Sequence, residues 1–522
     1  MKILLSLASA LFLILSFPRF DFEFLAWIAM VPLFLALKDR NLKSSFALSF
    51  LTGITFFMGI FYWINGVRGF TPLDFCLLGI YLGSYFGFFG LLFNFILKKK
   101  NLSSVIVAPA LWVSLEYLRS HAGFLGLPWA LLGHSQYLNL PVIQIASLTG
   151  VYGVSFLLVM INAALSEAIS YGLSKIRKDL VSKNLTPLKP ALISLLLVGL
   201  SAIYGFSVMS KDTGTDKVSV TVIQGNIPQD IKWDIAFKKL ILDKHVSLTE
   251  SASTNDHASL IVWPESSVPG SFAQDLHVLQ TISSLSRKTK TCLLIGSSQR
   301  PKFGSGELRG KYCFNSAFLI IPNGVISRCY NKIHLLPFAE YLPYKDSFPW
   351  TSRIVSGAGN FLPGEQYTLF DIGGIHFGTL ICWENIFPEL FRKFVKRGAN
   401  FMVNITNEAW FGNTAAPYQF LSASVFRAVE NRVAVIRSAN TGISCFIDQH
   451  GEILGRVKNN NKDIFVEGYL TMMIPLSFNR TIYTLYGDVF VYINLILTIL
   501  MIVLSAFKTG KKIAEESFSS EQ

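Results

Sequence analysis

Eight apolar runs, free or nearly free of charge, divide this chain of 522 residues and constrain it more than any other feature. Seven lie before residue 210, near 3–18, 23–37, 45–65, 73–97, 102–118, 148–170 and 190–209, and the eighth spans about 484–507. Several approach the roughly 20 apolar residues that a hydrocarbon core requires, although the first two are short. Lys2 ahead of the first run suits a signal peptide, but the small residues Ala8 and Ala10 fall inside the run and not after it, which favours an uncleaved anchor. Apolar residues make up 51% of the chain against 15% charged, with mean hydropathy +0.44, so neither disorder nor an ordinary soluble protein fits.

The formal charge of +13 raises the question of a nucleic-acid partner. Of the 46 Lys and Arg, 18 sit in the tails and the short loops between the apolar runs, leaving aside the long segment at 211–483. One alternating set of loops holds fifteen: Lys2; Lys38, Arg40 and Lys43; Lys98 to Lys100; Lys175, Arg177, Lys178, Lys183 and Lys189; and Lys508, Lys511 and Lys512. The opposite set holds Arg19, Arg68 and Arg119. That asymmetry reads as membrane topology, with both termini in the cytoplasm and the long segment between runs seven and eight outside. No basic stripe interleaved with aromatics points to nucleic acid. The sequence thus divides into a membrane domain at 1–210, an external domain at 211–483, a last span at 484–507 and a cytoplasmic tail at 508–522.

Between 211 and 480 the pattern changes to short β-rich runs: Val218 to Ile223, Ser259 to Trp263, Cys292 to Ser297, Ala317 to Ile321, Phe377 to Ile381, Phe401 to Ile405, Val433 to Ser438 and Cys445 to Ile447. Their alternation with helical stretches predicts an α/β domain with a layered sheet. The six cysteines form no C-x-x-C pair and no His/Cys spacing suited to zinc, so neither metal nor cofactor is expected. Five of them lie in the external domain, where an oxidising compartment permits disulfides that the sequence does not pair.

Cys382 closes the strand-like run Gly378 to Ile381 and precedes a helical stretch from Phe387 to Lys396. A residue at such a strand-to-helix turn stands above the sheet as a nucleophile does, although a lone cysteine there is more often a small buried hydrophobe. Glu265 holds an equivalent place after Leu260 to Pro264, where Trp263 and Pro264 create the apolar setting that tunes a general base. The alternative is a solvated carboxylate. Lys332, in Tyr330 to Glu340, suits an oxyanion, or is simply a surface lysine. His334 is as readily structural as catalytic.

Together, Trp263-Pro264-Glu265, Asn331-Lys332-Ile333-His334 and Ile381-Cys382-Trp383-Glu384 resemble the carbon-nitrogen hydrolase (nitrilase) superfamily, in its order Glu, Lys, Cys. The resemblance implies an α-β-β-α sandwich with a Glu-Lys-Cys triad, joined here to a polytopic α-helical membrane domain of about eight transmembrane helices. The whole chain is similar to the apolipoprotein N-acyltransferase family of the bacterial inner membrane. Gln224 to Gln229 with Trp233, the Lys332 to Pro343 segment, Asn407 to Gly412, Phe20-Asp21-Phe22, Gly126 to Trp129 and Gly133 to Gln136 carry that likeness.

The family resemblance implies a catalytic domain on the periplasmic side and a phospholipid acyl donor. It also implies a Cys382 thioester and diacylglyceryl-modified apolipoproteins as acceptors. Trp233, Glu340, Trp383 and Glu384 become supporting residues beside Glu265, Lys332 and Cys382. Three positions depart from the family pattern: Trp383 stands for Tyr, Glu408 for Asp and Phe420 for His. A membrane-tethered amidase or a transporter with an external sensor domain are the competing readings. The first leaves seven spans without a purpose, and the second calls for ionisable residues inside spans, where Glu116 and Glu167 lie only near the ends.

Overall fold

The computed structural model describes residues 1–98, 102–176, 188–210, 216–232, 234–301, 312–344 and 359–520. The chain forms two compact units, one of Met1–Asn65, Phe70–Lys211 and Tyr486–Gln522, the other of Gly66–Gly69 and Asp212–Leu485.

The first unit is helical. Five helices are long and apolar enough to cross a membrane: Leu42–Ile60, Pro72–Leu97, Val151–Ile176, Lys189–Met209 and Val489–Phe507. The first and fifth runs fold as shorter helices, Lys2–Leu15 and Ser104–Ser120. The second departs from the expected span. It breaks into a 3-10 turn, Glu23–Trp27, and a short helix, Val31–Leu37. Broken backbone in an apolar setting needs side-chain partners, and other helices supply them. Asn162 accepts from the Met30 N–H at 2.7 Å and donates to the Ala26 carbonyl at 2.9 Å, while Ser9 accepts from the Leu33 N–H.

Glycines let helices Leu42–Ile60 and Pro72–Leu97 meet closely. A Cβ at Gly83 would lie 2.9 Å from the Ile54 nitrogen, and one at Gly90 would lie 2.6 Å from the Ser45 carbonyl oxygen. The two acidic residues near span ends have structural partners. Glu167 accepts from the Ser104 N–H at the start of Ser104–Ser120, and Glu116 accepts from the Leu132 N–H.

The second unit holds two six-stranded sheets. The first contains β1 (Lys217–Gln224), β2 (Leu260–Val262), β3 (Cys292–Gln299), β4 (Phe314–Ile320), β5 (Ile326–Asn331) and β12 (Gly468–Pro475), in the order β12-β1-β2-β3-β4-β5. The second contains β6 (Leu369–Ile372), β7 (Ile375–Ile381), β8 (Phe401–Thr406), β9 (Ala434–Ala439), β10 (Cys445–Ile447) and β11 (Ile453–Arg456), in the order β11-β10-β9-β8-β7-β6. Each sheet has three parallel strands, β1-β2-β3 and β7-β8-β9, extended by antiparallel neighbours.

Helices Lys238–Asn255 and Leu276–Thr289 pack on the first sheet through Leu242, Ala252, Val278, Ile282 and Leu285, which meet Ile261, Trp263, Leu293 and Phe318. Helices Pro388–Lys396 and Ala416–Asn431 serve the second sheet. The sheets meet where the Ser438 hydroxyl donates to the Ile223 and Val262 carbonyls. This is the four-layer nitrilase-like arrangement expected from the sequence. All six cysteines are free thiols.

Candidate active site

Parallel strands in α/β layers end in loops that share one edge, where chemistry collects. Here Gly225 to Lys232 follow β1, Glu265 follows β2, Cys382 follows β7, Asn407 follows β8 and Asn440 follows β9. Because β4 and β5 run antiparallel, the start of β4 with Asn315 and the residue after β5, Lys332, fall at that same edge.

Cys382 sits at φ +57°, a left-handed turn between β7 and the 3-10 segment Cys382–Ile386. Such a conformation costs a non-glycine residue energy and persists where the surroundings enforce it. Glu384 enforces it. Its carboxylate, fully buried, accepts from the Ile381 N–H at 2.8 Å, the Ile333 N–H at 2.8 Å, the His334 N–H at 2.9 Å and the Tyr330 hydroxyl. One side chain thus ties the Cys382 turn to the loop that carries Lys332. Burial raises the Glu384 pKa to about 7, against the pull of Lys332 and those N–H donors.

The Glu384→Gln variant turns one acceptor oxygen into a donor facing these buried N–H groups, each of which costs about 1–3 kcal/mol when left unmet. We expect a lower unfolding midpoint and, through a displaced thiol, reactions at Cys382 slowed on the order of 10²-fold. Thermal denaturation and single-turnover kinetics check the two.

Lys332 is 2% exposed and makes 2.8 Å contacts to both carboxylate oxygens of Glu340. Burial alone lowers its pKa, but the attraction of Glu340, Cys382, Glu265 and Glu384 outweighs that and keeps it above the ordinary lysine value. Glu340 also accepts from the Leu336 N–H, so it shapes the loop as well as pairing the ammonium. Glu265, 7% exposed, accepts from the Asn315 amide at 2.8 Å on one oxygen and from the Asn407 N–H at 2.8 Å on the other. Asn315 reaches Glu340 as well, at 3.2 Å, and so links the two acids. The Asn407 side chain continues to Gln229 and Asn440, tying the segment after β1 into the site.

Burial pushes the Cys382 thiol far above its ordinary pKa, reinforced by Glu265 and Glu340 and opposed by Lys332 and Thr406. The sulfur is therefore a protonated thiol at neutral pH and needs a base to react. Glu265, Lys332, Glu340 and Cys382 form one cluster, with Glu384 as the tie beneath it.

Trp383 fills a packing role. Its indole N–H donates to the His334 carbonyl at 2.7 Å and its ring meets Phe387 edge-on. Glu408 is buried against Arg437 and Gly442. Phe420 packs on Phe411, while Trp410 remains 39% exposed. Trp233 lies outside the described residues. Asn315 and a second buried lysine, Lys232, did not stand out in the sequence. Asn315 lies at the start of a strand that reads from Ala317 onward, and Lys232 lies in a polar stretch where a solvated lysine is the default.

Residues 9–164 match the apolipoprotein N-acyltransferase N-terminal domain, and residues 219–475 match the carbon-nitrogen hydrolase domain. The apolipoprotein N-acyltransferase of Geobacter metallireducens is 39% identical over 498 residues, covering 94% of this chain and 92% of that protein. The protein of the same name from Chlorobaculum tepidum is 28% identical, covering 93% and 92%. Among solved structures, an amidase from Nesterenkonia sp. aligns with 20% identity and a TM-score of 0.36, over 49% of this chain and 90% of the amidase.

Proposed function

The chain belongs to the apolipoprotein N-acyltransferase family, and from that premise we propose how its residues work. It is a membrane acyltransferase that N-acylates lipoproteins during their maturation. In the proposed mechanism the acyl chain comes from a phospholipid and passes through Cys382 to the α-amine of a diacylglyceryl-cysteine at the lipoprotein's N-terminus.

The Glu265 carboxylate takes the thiol proton as Sγ attacks the donor's ester carbonyl. Lys332 and the main-chain N–H of Trp383 hold the oxyanion that develops. Glu265 then protonates the departing glycerol oxygen, lysophospholipid leaves and a thioester remains on Cys382. In the second half the acceptor amine attacks the thioester and gives its proton to Glu265. The tetrahedral adduct expels the Cys382 thiolate, which recovers that proton, and the product is an amide. The high pKa of the thiol supports this order of events, because it holds the sulfur protonated until Glu265 accepts its proton. The two 2.8 Å hydrogen bonds to Glu265 support its role by fixing the carboxylate with neutral donors, which leave a lone pair for the proton.

Both substrates are lipid-anchored. A catalytic unit flanked in sequence by apolar helices on both sides meets them at high effective concentration and leaves their acyl chains in the bilayer. The fifteen-to-three distribution of Lys and Arg supports placing that unit on the periplasmic side of the inner membrane.

The observation that carries the reading is a likeness spanning both units, at 94% of the chain, with a cysteine at a strand-end turn beside a buried Glu and Lys. Its test is mass spectrometry of a synthetic diacylglyceryl-cysteine peptide incubated with the purified protein and phospholipid. The expected result is one added acyl chain, as an amide on the α-amine, with equimolar lysophospholipid. Unmodified peptide with released fatty acid would mean a hydrolase instead.

A further inference from the structure

Charge matching in the buried cluster exposes a group that the triad leaves unused. Lys332 is committed to Glu340 through both carboxylate oxygens. The hydrogen bonds to the Glu265 carboxylate among the described residues come from two neutral donors, Asn315 and the Asn407 N–H. A carboxylate and an ammonium buried apart from water each call for a counter-charge. Lys232, 2% exposed, donates to the main-chain carbonyl of Glu265 at 3.0 Å. The Glu265 peptide is itself held tightly: Ser266 lies at φ +48°, and a Cβ at Gly296 would come within 2.8 Å of the Glu265 Cα.

We propose that Lys232 is a positioning residue of the acyl-transfer site, which anchors the Glu265 peptide and supplies the cluster's second positive charge. That charge stays matched when the proton moves from Sγ to the Glu265 carboxylate, because the negative charge passes from Glu265 to sulfur, and both act on Lys232. The inference rests on the roles given above to Glu265 and Cys382.

The titratable groups facing Lys232 are Glu265 from the turn after β2, Cys382 from the turn after β7 and His245 from helix Lys238–Asn255. His245 is neutral at working pH, since burial lowers its pKa to about 4. Burial also lowers the Lys232 pKa to about 8, with Glu265 and Cys382 opposing. The ammonium is therefore present below that pH and lost above it.

The test compares the full-length protein in detergent with Lys232→Arg and Lys232→Met, from neutral to alkaline pH. It measures thioester formation from phospholipid and, separately, alkylation of Cys382 by iodoacetamide. The wild type is expected to lose acylation rate as pH rises through about 8. Lys232→Arg, whose charge does not titrate there, keeps near-neutral activity and loses that descending limb. Lys232→Met acylates about tenfold more slowly at neutral pH, the equivalent of one pKa unit. A merely structural lysine would leave the limb in place in Lys232→Arg. That result, or Lys232→Met acylating at the wild-type rate, overturns the proposal. If Lys232→Met does not fold, the Lys232→Arg profile decides alone. A wild type that forms no thioester, yet whose Cys382 alkylation loses the limb in Lys232→Arg, would overturn the acyl-transfer reading and keep the role of Lys232.

Discussion

Cys382→Ala is expected to remove acyl transfer almost completely, by on the order of 10⁶-fold, the loss typical of deleting a covalent nucleophile. Cys292, Cys329 and Cys445 lie within strands β3, β5 and β10, whereas Cys382 sits at a strand-end turn. The fold should survive, because alanine accepts the same left-handed turn at similar cost and Glu384 still ties Ile381 to Ile333 and His334. An unchanged unfolding midpoint with no lysophospholipid released is the pair of results to look for. Serine at the same position restores little, because its hydroxyl is a far weaker acid than a thiol and Glu265 must remove its proton.

Glu265→Gln is expected to slow thioester formation by roughly 10²–10⁴-fold, the range that a positioned general base contributes. The amide keeps one acceptor for the Asn407 N–H, but its NH2 then confronts the Asn315 amide, which donates to that side in the native protein. The substitution also removes the charge that Lys232 faces, so a lower unfolding midpoint accompanies the lost rate. In the proposed mechanism both half-reactions use the same carboxylate. A Glu265→Gln protein given a chemically installed thioester should therefore also be slow to pass it to the amine. Rapid transfer in that experiment would show that the base serves the first half alone.

The parts of the fold visible in the sequence are those with continuous apolar character. The eight strands read from the sequence are the inner ones, β1 to β4 and β7 to β10. The four that escaped, β5, β6, β11 and β12, are the outer strands of the two sheets. An edge strand is half-exposed and carries polar residues on its open side, as Ile326–Asn331 does with Ser327, Arg328 and Asn331, so no continuous apolar run marks it. The same physics hides the break in the second apolar run. Hydropathy registers the 23–37 run as apolar, but the partners that allow it to unwind, Asn162 and Ser9, lie elsewhere in the chain.

In the site, strand ends followed by a reactive side chain made Glu265 and Cys382 candidates, and the order of the three motifs drew in Lys332. What could not be read was how the cluster is balanced. Asn315 gains its place from antiparallel pairing of β4 with β3 and β5, and Lys232 is tied to the turn after β2 through the Glu265 carbonyl. Glu384, expected as a supporting residue, accepts from the Ile381 N–H, from the Ile333 and His334 N–H groups and from Tyr330, and so acts on geometry first.

In the proposed mechanism an acyl chain rests on Cys382 between donor and acceptor. The most direct measurement incubates the purified protein with phospholipid labelled in its acyl chain, without acceptor, and maps any label that neutral hydroxylamine removes. The account predicts a hydroxylamine-labile adduct on the peptide containing Cys382, absent from Cys382→Ala and discharged when a diacylglyceryl-cysteine peptide is added. Lysophospholipid accumulating with no such adduct would contradict it.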